Sequence, residues 1–367
     1  MNALEPAERR AVLEALLAVL DDDAVRDLAW LLFSPPLLRE QPPLGMLVNA
    51  FETVDEVAAT EAWLLALDRD SDPLRQTLAT SRLTRLGRYA ECLLAYFLAH
   101  GPATRLIAAN VALRLAGRTV GECDFLVETA SGRRQHWELA VKCYLHLGGE
   151  PASLADYVGP NLQDRFDVKL ARLLEHQLPL SARDEFASLG HAGPWEAQML
   201  VKGWLFYRWQ EDAPVGSVAP SPLHPQAVDP LHARGFWITR AQWPRFAARP
   251  ACDATRVDAL ASYSGLEHSS RLSLERADAW AVLPRLAWLA PRRSSKGDGA
   301  QAAGLSTAQA LAERLAQHDD PTMVAAFVRA EDDDGSPYWR ECARGFVVPD
   351  DWPERASAFA SRPYHQR

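Results

Sequence analysis

The sequence predicts an α/β protein whose core runs helix, three strands, helix, strand. An N-terminal helical region precedes this core and a C-terminal mixed α+β region follows it. Two segments, residues 83–99 and 161–177, carry apolar residues at the three- and four-residue spacing of amphipathic helices. Between them, apolar runs separated by turn residues indicate strands. A Pro-rich stretch, residues 213–230, then interrupts the pattern and marks the end of the core.

The N-terminal region, residues 1–80, is predicted to be helical. Its helices are expected at 8–20, 22–33 and 54–67. Ser34-Pro35-Pro36 ends the second helix, because proline lacks the amide hydrogen and disfavours helix in the residue before it. The first helix carries acids where a signal peptide needs a basic flank, so we interpret it as an ordinary amphipathic helix.

The predicted core covers residues 81–212. Strands are expected at 105–115, 119–128, 135–147 and 198–207. A turn at 116–118 and another at Ser131-Gly132 separate the first three strands. A Pro-rich linker, residues 213–234, leads to the mixed α+β region, residues 235–367. Strands are expected there at 235–240, 323–329 and 345–348, and helices near 277–286 and 306–317.

Composition limits the compartment and the partners. The five cysteines are scattered without a CxxC pair, and no apolar run reaches the roughly 18 residues of a membrane helix. We therefore expect a cytoplasmic protein with no membrane contact. The net charge of −9 lies within residues 1–80, and residues 81–177 are slightly basic. A nonspecific duplex binder normally carries a stronger basic stripe, so this distribution is compatible with a phosphate-containing substrate without indicating one.

Charged residues share one face on two neighbouring predicted strands. Alternation along a strand places Glu122 with Asp124, and His136 with Glu138 and Lys142. If the two faces coincide, Asp124, Glu138 and Lys142 converge. Helices are expected to cover the sheet, and buried charges are then costly unless they are paired or bind a metal. A functional site and a structural ion-pair network both satisfy this condition.

The order of elements, with Asp124 in one strand and Lys142 in the next, resembles the PD-(D/E)XK nuclease superfamily, which has a restriction-endonuclease-like αβββαβ core. The segments GECDFL, HWELAVKCYLHL, VGPNLQDRFDVKLARLLEHQL and LPRLAWLAP look more closely like a bacterial family, the domain-of-unknown-function family 1853. The superfamily resemblance covers residues 83–207, and the closer likeness runs over most of the chain.

The superfamily resemblance implies a nuclease site that binds Mg²⁺ or Mn²⁺ through carboxylates. Asp124 would bind the metal, Lys142 would orient or activate the attacking water, and Glu91 in the preceding helix matches an acid that often joins the site. The chain departs from the pattern two residues before Lys142, where Ala140 replaces the expected acid. The nearest acid on that face, Glu138, lies about 6.6–6.8 Å further along the strand.

Four further residues are candidates for supporting roles. Glu122 and His136 lie on the faces of Asp124 and Glu138, and Gln163 and Lys169 are placed on the helix after the third strand. The primary hypothesis is therefore a metal-dependent nuclease with a displaced second acid, acting on nucleic acid. The alternative is a catalytically degenerate scaffold that binds a protein or nucleic acid.

Overall fold

The computed structural model describes residues 6–81, 83–115, 118–149, 152–187, 189–191, 193–209, 225–247, 277–294, 304–332 and 334–363. The chain divides into two compact units. Unit 1 contains Met1–Lys142, Val168–Gly203 and Gln226–Asp229, and unit 2 contains Cys143–Asp167, Trp204–Pro225 and Pro230–Arg367. The predicted turn at 116–118 and the linker at 213–234 fall largely outside the described residues.

The N-terminal region of unit 1 is helical, as predicted. Its helices are α1 (Pro6–Val19), α2 (Asp23–Phe33), α3 (Val54–Arg69) and α4 (Asp72–Thr80), and α5 (Leu86–His100) follows as the first helix of the predicted core. Asp22 caps α2 by accepting from the amides of Ala24 and Val25, and the helix ends at Ser34, before the two prolines. The sequence prediction had missed α4.

The fold is mixed α/β, and the predicted strands are present. The strands are β1 (Met46–Leu47), β2 (Arg105–Leu115), β3 (Arg118–Glu128), β4 (Arg134–His146), β5 (Tyr157–Val158), β6 (Glu196–Arg208), β7 (Ala233–Thr239), β8 (Ala279–Val282), β9 (Thr322–Glu331) and β10 (Pro337–Val348). Of these, β1, β5 and β8 were not predicted. These strands hydrogen-bond in the order β2-β3-β4-β6-β7-β10-β9-β8, with β1 on β6 and β5 on β4. Neighbours β2, β3 and β4 are antiparallel, whereas β6 pairs with β7 in parallel.

One predicted helix in unit 2 is wrong. The segment near 277–286 contains the strand β8, in which Ala279 pairs with Phe327 of β9. A four-residue apolar run has no readable period, so its pairing with a neighbouring strand decides its conformation. Trp280 of β8 and the nearby Trp243 lie edge to face with ring centroids 4.9 Å apart inside a buried cluster. The other predicted helix is present at Ala308–Leu315.

The helix predicted at 161–177 begins later and changes form. It consists of α6 (Phe166–Arg172), then a π-helical turn (Leu173–Gln177) and a 3-10 turn (Leu178–Ala182). Pro179 explains part of the change, because it has no amide hydrogen to donate to the carbonyl four residues earlier. A single-turn π insertion of this kind is frequent at functional sites.

Candidate functional site

The backbone ladder between β3 and β4 stops at the pair Phe125–Trp137. One residue beyond that pair, side-chain carboxylates instead of backbone carbonyls accept hydrogen bonds from the amides of the neighbouring strand. The amide of Leu139 donates to Asp124 Oδ2 at 2.8 Å, and the amide of Asp124 donates to Glu138 Oε1 at 3.4 Å. The structure therefore brings Asp124 and Glu138 together across two neighbouring strands.

Glu138 is fully buried, and both of its carboxylate oxygens have partners. Oε1 lies 2.8 Å from His136 Nε2, and Oε2 accepts from Gln177 Nε2 at 2.5 Å. The other nitrogen of the buried His136 ring, Nδ1, lies 3.0 Å from Ser181 Oγ. An ionised carboxylate only accepts hydrogen bonds, so in this arrangement Nε2 donates to Glu138.

The π-helical turn connects Glu138 to a lysine. Lys169 Nζ donates to Gln177 Oε1 at 2.8 Å, and Gln177 in turn donates to Glu138. Lys169 is half-buried on α6, so this predicted residue does belong to the group around Glu138. Nothing in the amphipathic pattern singled out Gln177, because its position depends on the π-helical turn.

Glu91, on α5, is a third carboxyl group of the site. Burial raises its pKa, the ion pair with Arg88 opposes that rise, and the charges of Glu122 and Glu138 add to it. Because the charges of Glu122 and Glu138 act on this pKa, the carboxyl of Glu91 lies within electrostatic range of both residues. Glu122 itself is exposed on β3.

Asp124 has the most perturbed carboxyl in this group. Its pKa is raised to about 8, first by burial and then by the charge of Glu138. The amide of Leu139 lowers it, Glu91 raises it, and Lys169 lowers it. Burial and the neighbouring acids together therefore outweigh the Leu139 amide and Lys169, and a carboxyl perturbed in this way is a feature of functional sites.

The remaining predicted residues, Lys142 and Gln163, lie in different surroundings. Lys142 is half-buried on β4, at a point where an added Cβ on Gly203 of β6 would be 1.7 Å from the Lys142 carbonyl oxygen. Gln163 is exposed and precedes α6, so its predicted placement on that helix is wrong. The helix begins only at Phe166.

Comparison with known protein families identifies the family of this chain. A family model described as "Domain of unknown function (DUF1853)" matches residues 26–348, which include every candidate site residue named above. The chain belongs to this family. No curated protein and no solved structure matches the DUF1853 chain. In the part of the chain that the structure describes, no helix is both long and apolar enough to cross a membrane.

The DUF1853 chain also contains a group of three different potential metal ligands. Cys123, His136 and Glu138 are all buried, and one ligand atom from each lies within 4.8 Å of the other two. Burial and the charges of Glu138, Asp124 and Glu122 raise the pKa of the Cys123 thiol. Cys123 is not among the site residues predicted from the sequence, because strict alternation along β3 places it on the face opposite Asp124.

Proposed function

We propose that this DUF1853 chain is a divalent-metal-dependent phosphodiesterase that hydrolyses nucleic acid. The observation that carries the proposal is the meeting of Asp124 and Glu138 where the β3–β4 ladder ends, with Glu91 within electrostatic range of both. The chain order α5, β2, β3, β4, α6, β6, together with the strand order β2-β3-β4-β6, supports a restriction-endonuclease-like core around this site.

The donor set fits Mg²⁺ or Mn²⁺. Both ions prefer carboxylate oxygen, and Asp124 and Glu138 supply neighbouring carboxyl groups, with Glu91 within electrostatic range. Burial is the main cause that raises the pKa of Asp124 to about 8, and a bound cation would favour the charged form of this carboxyl. When bound, the ion would supply charge stabilisation for the phosphate oxygens during hydrolysis.

The protein's own residues would position the ion and the substrate. The contacts from His136 and Gln177 fix the carboxylate of Glu138, and the amide of Leu139 fixes that of Asp124. By the superfamily resemblance, Lys142 would orient the attacking water. A lysine beside the reacting phosphate adds electrostatic stabilisation as charge develops.

One observation favours the alternative of a noncatalytic scaffold. Ala140 occupies the position of the expected acid, and both oxygens of its substitute, Glu138, already accept hydrogen bonds within the protein. Each carboxylate oxygen has a second acceptor site, so the proposal requires the ion to occupy those sites. A scaffold would leave them empty and would bind nucleic acid or protein without cleaving it.

The decisive experiment combines metal titration with a cleavage assay. Thermal melts with Mg²⁺ or Mn²⁺, and incubation with single- and double-stranded DNA and RNA, are run on wild type and on Asp124→Asn. Glu128→Gln is the matched control, because Glu128 lies on the same strand but pairs with Arg105 at 2.8 Å.

The proposal expects metal-dependent cleavage and a metal-induced rise in Tm for wild type and Glu128→Gln, with both lost in Asp124→Asn. Cleavage that survives Asp124→Asn would exclude this site. A wild-type protein with neither a melting shift nor cleavage would instead support the scaffold.

A further inference from the structure

Cys123, His136 and Glu138 present a sulfur, a nitrogen and an oxygen ligand to one small buried space. Their ligand atoms lie within 4.8 Å of one another, and Cys123, His136 and Glu138 are each 0% exposed. Apart from Glu138, these ligands differ from those of the proposed Mg²⁺ site. Cys123 on β3 and Glu138 on β4 lie beyond the last backbone pair of the two strands, and His136 lies within the ladder, where it pairs with Leu126.

We infer that Cys123, His136 and Glu138 form a binding site for Zn²⁺. Thiolate and imidazole are ligands that select borderline and soft ions, whereas Mg²⁺ and Ca²⁺ take oxygen. One thiolate and one carboxylate also balance the charge of a divalent ion. Zinc sites with three protein ligands leave a fourth position for water.

The distances are close to those that zinc requires. With bonds of about 2.0–2.3 Å in tetrahedral geometry, ligand atoms lie about 3.5 Å apart. The three ligand atoms, now within 4.8 Å of one another, would have to adjust by about 1 Å. Rotation of the Cys123 and Glu138 side chains supplies such a movement without displacing either strand.

The imidazole of His136 is already held in a suitable orientation. Its Nδ1 contacts Ser181 Oγ at 3.0 Å, and its Nε2 points at Glu138 Oε1 from 2.8 Å. Zinc would take the place of the proton between Nε2 and Glu138. The ring proton then resides on Nδ1 and is donated to Ser181, and the Cys123 thiol proton leaves to solvent.

Such an ion would link β3 and β4 at the end of their backbone ladder. It would add coordination bonds from Cys123 on one strand and from His136 and Glu138 on the other. Zinc is therefore expected to raise the Tm of the full chain.

The test uses Zn²⁺ and its spectroscopic substitute Co²⁺ on the full chain. Metal analysis after dialysis against one equivalent of Zn²⁺ measures stoichiometry, and the thiolate-to-cobalt charge-transfer absorption reports a sulfur ligand. The variants are Cys123→Ser, Asp124→Asn and, as a matched thiol control, Cys342→Ser, whose half-buried Sγ bonds to the Ala326 carbonyl.

The inference expects one zinc per chain and a thiolate band that zinc displaces. The band should be lost in Cys123→Ser and kept in Cys342→Ser and Asp124→Asn. Ser181→Ala should weaken zinc binding by about 10- to 100-fold, because it removes the partner that orients His136.

Absence of the band in wild type, or an unchanged band in Cys123→Ser, would overturn the inference. The result stays separate from the proposed function, because Asp124→Asn removes only the Mg²⁺-dependent cleavage. Bound zinc without any cleavage contradicts the proposed function alone. Cleavage by a protein that binds no zinc contradicts the zinc site alone.

Discussion

Replacing Asp124 by asparagine is expected to stabilise the metal-free protein at neutral pH. The substitution keeps the shape of the side chain and an oxygen that can accept from the Leu139 amide, but it removes a carboxyl group whose charged form is disfavoured by burial and by the charges of Glu138 and Glu91. The benefit depends on pH because the pKa of Asp124 is about 8 in the folded protein, against an ordinary value of 3.8.

The direction of this pH dependence follows from proton binding. Between pH 3.8 and about pH 8 the unfolded chain has lost the proton of Asp124, whereas the folded chain keeps it. The free energy of unfolding of wild type therefore falls as pH rises through this window. The slope is about 1.4 kcal/mol per pH unit for one group. From pH 5 to pH 7, Asp124→Asn should thus gain about 3 kcal/mol relative to wild type.

The assay is chemical or thermal unfolding in EDTA at intervals from pH 5 to pH 8. A difference of about 3 kcal/mol corresponds to a relative Tm change of about 4 °C for a cooperative transition of 367 residues. Glu128→Gln is the control. The hydrogen bond and charge of Arg105 keep the pKa of Glu128 below its ordinary value, so its curve should run parallel to that of wild type. Parallel curves for wild type and Asp124→Asn would refute the reasoning.

Four further predictions concern neighbouring residues. Gly203→Ala should cost about 3 kcal/mol or more in a denaturation experiment, because the added Cβ meets the Lys142 carbonyl at 1.7 Å and φ is +140°. Gln177→Ala should weaken Mg²⁺ binding by about 10- to 100-fold in a thermal titration, since Glu138 loses a positioning partner. Lys142→Ala should abolish cleavage with Tm unchanged or raised. Lys169→Ala should instead raise the pKa of Asp124 further, because the charge of Lys169 lowers that pKa. The loss of stability with rising pH should then extend to higher pH in the same unfolding experiment.

Most elements of unit 1 could be predicted because their signals are local. Asp22 and the prolines after Ser34 mark both ends of α2 in the sequence. Alternation along β3 and β4 was enough to predict that Asp124 and Glu138 face one another. Both inferences need only the period of a strand or the chemistry of a helix end.

The missed features depend on tertiary contacts. Gln177 reaches Glu138 only because the helix passes into a π-helical turn, and periodicity cannot reveal that change. Cys123 approaches Glu138 where the ladder has stopped, so a rule for regular strands places it wrongly. Which lysine is connected to Glu138 also depends on side-chain contacts, and these connect Lys169 to Glu138 through Gln177.

The exchanged hydrogen bonds beyond Phe125 and Trp137 make two backbone amides into reporters of the site. The Asp124 amide relies on the carboxylate of Glu138, and the Leu139 amide relies on that of Asp124. Any ligand that draws either carboxylate away removes an acceptor from the opposite strand. The hydrogen-exchange rates and NMR shifts of these two amides therefore record occupancy and charge at the site directly, without a substrate and without knowledge of the reaction.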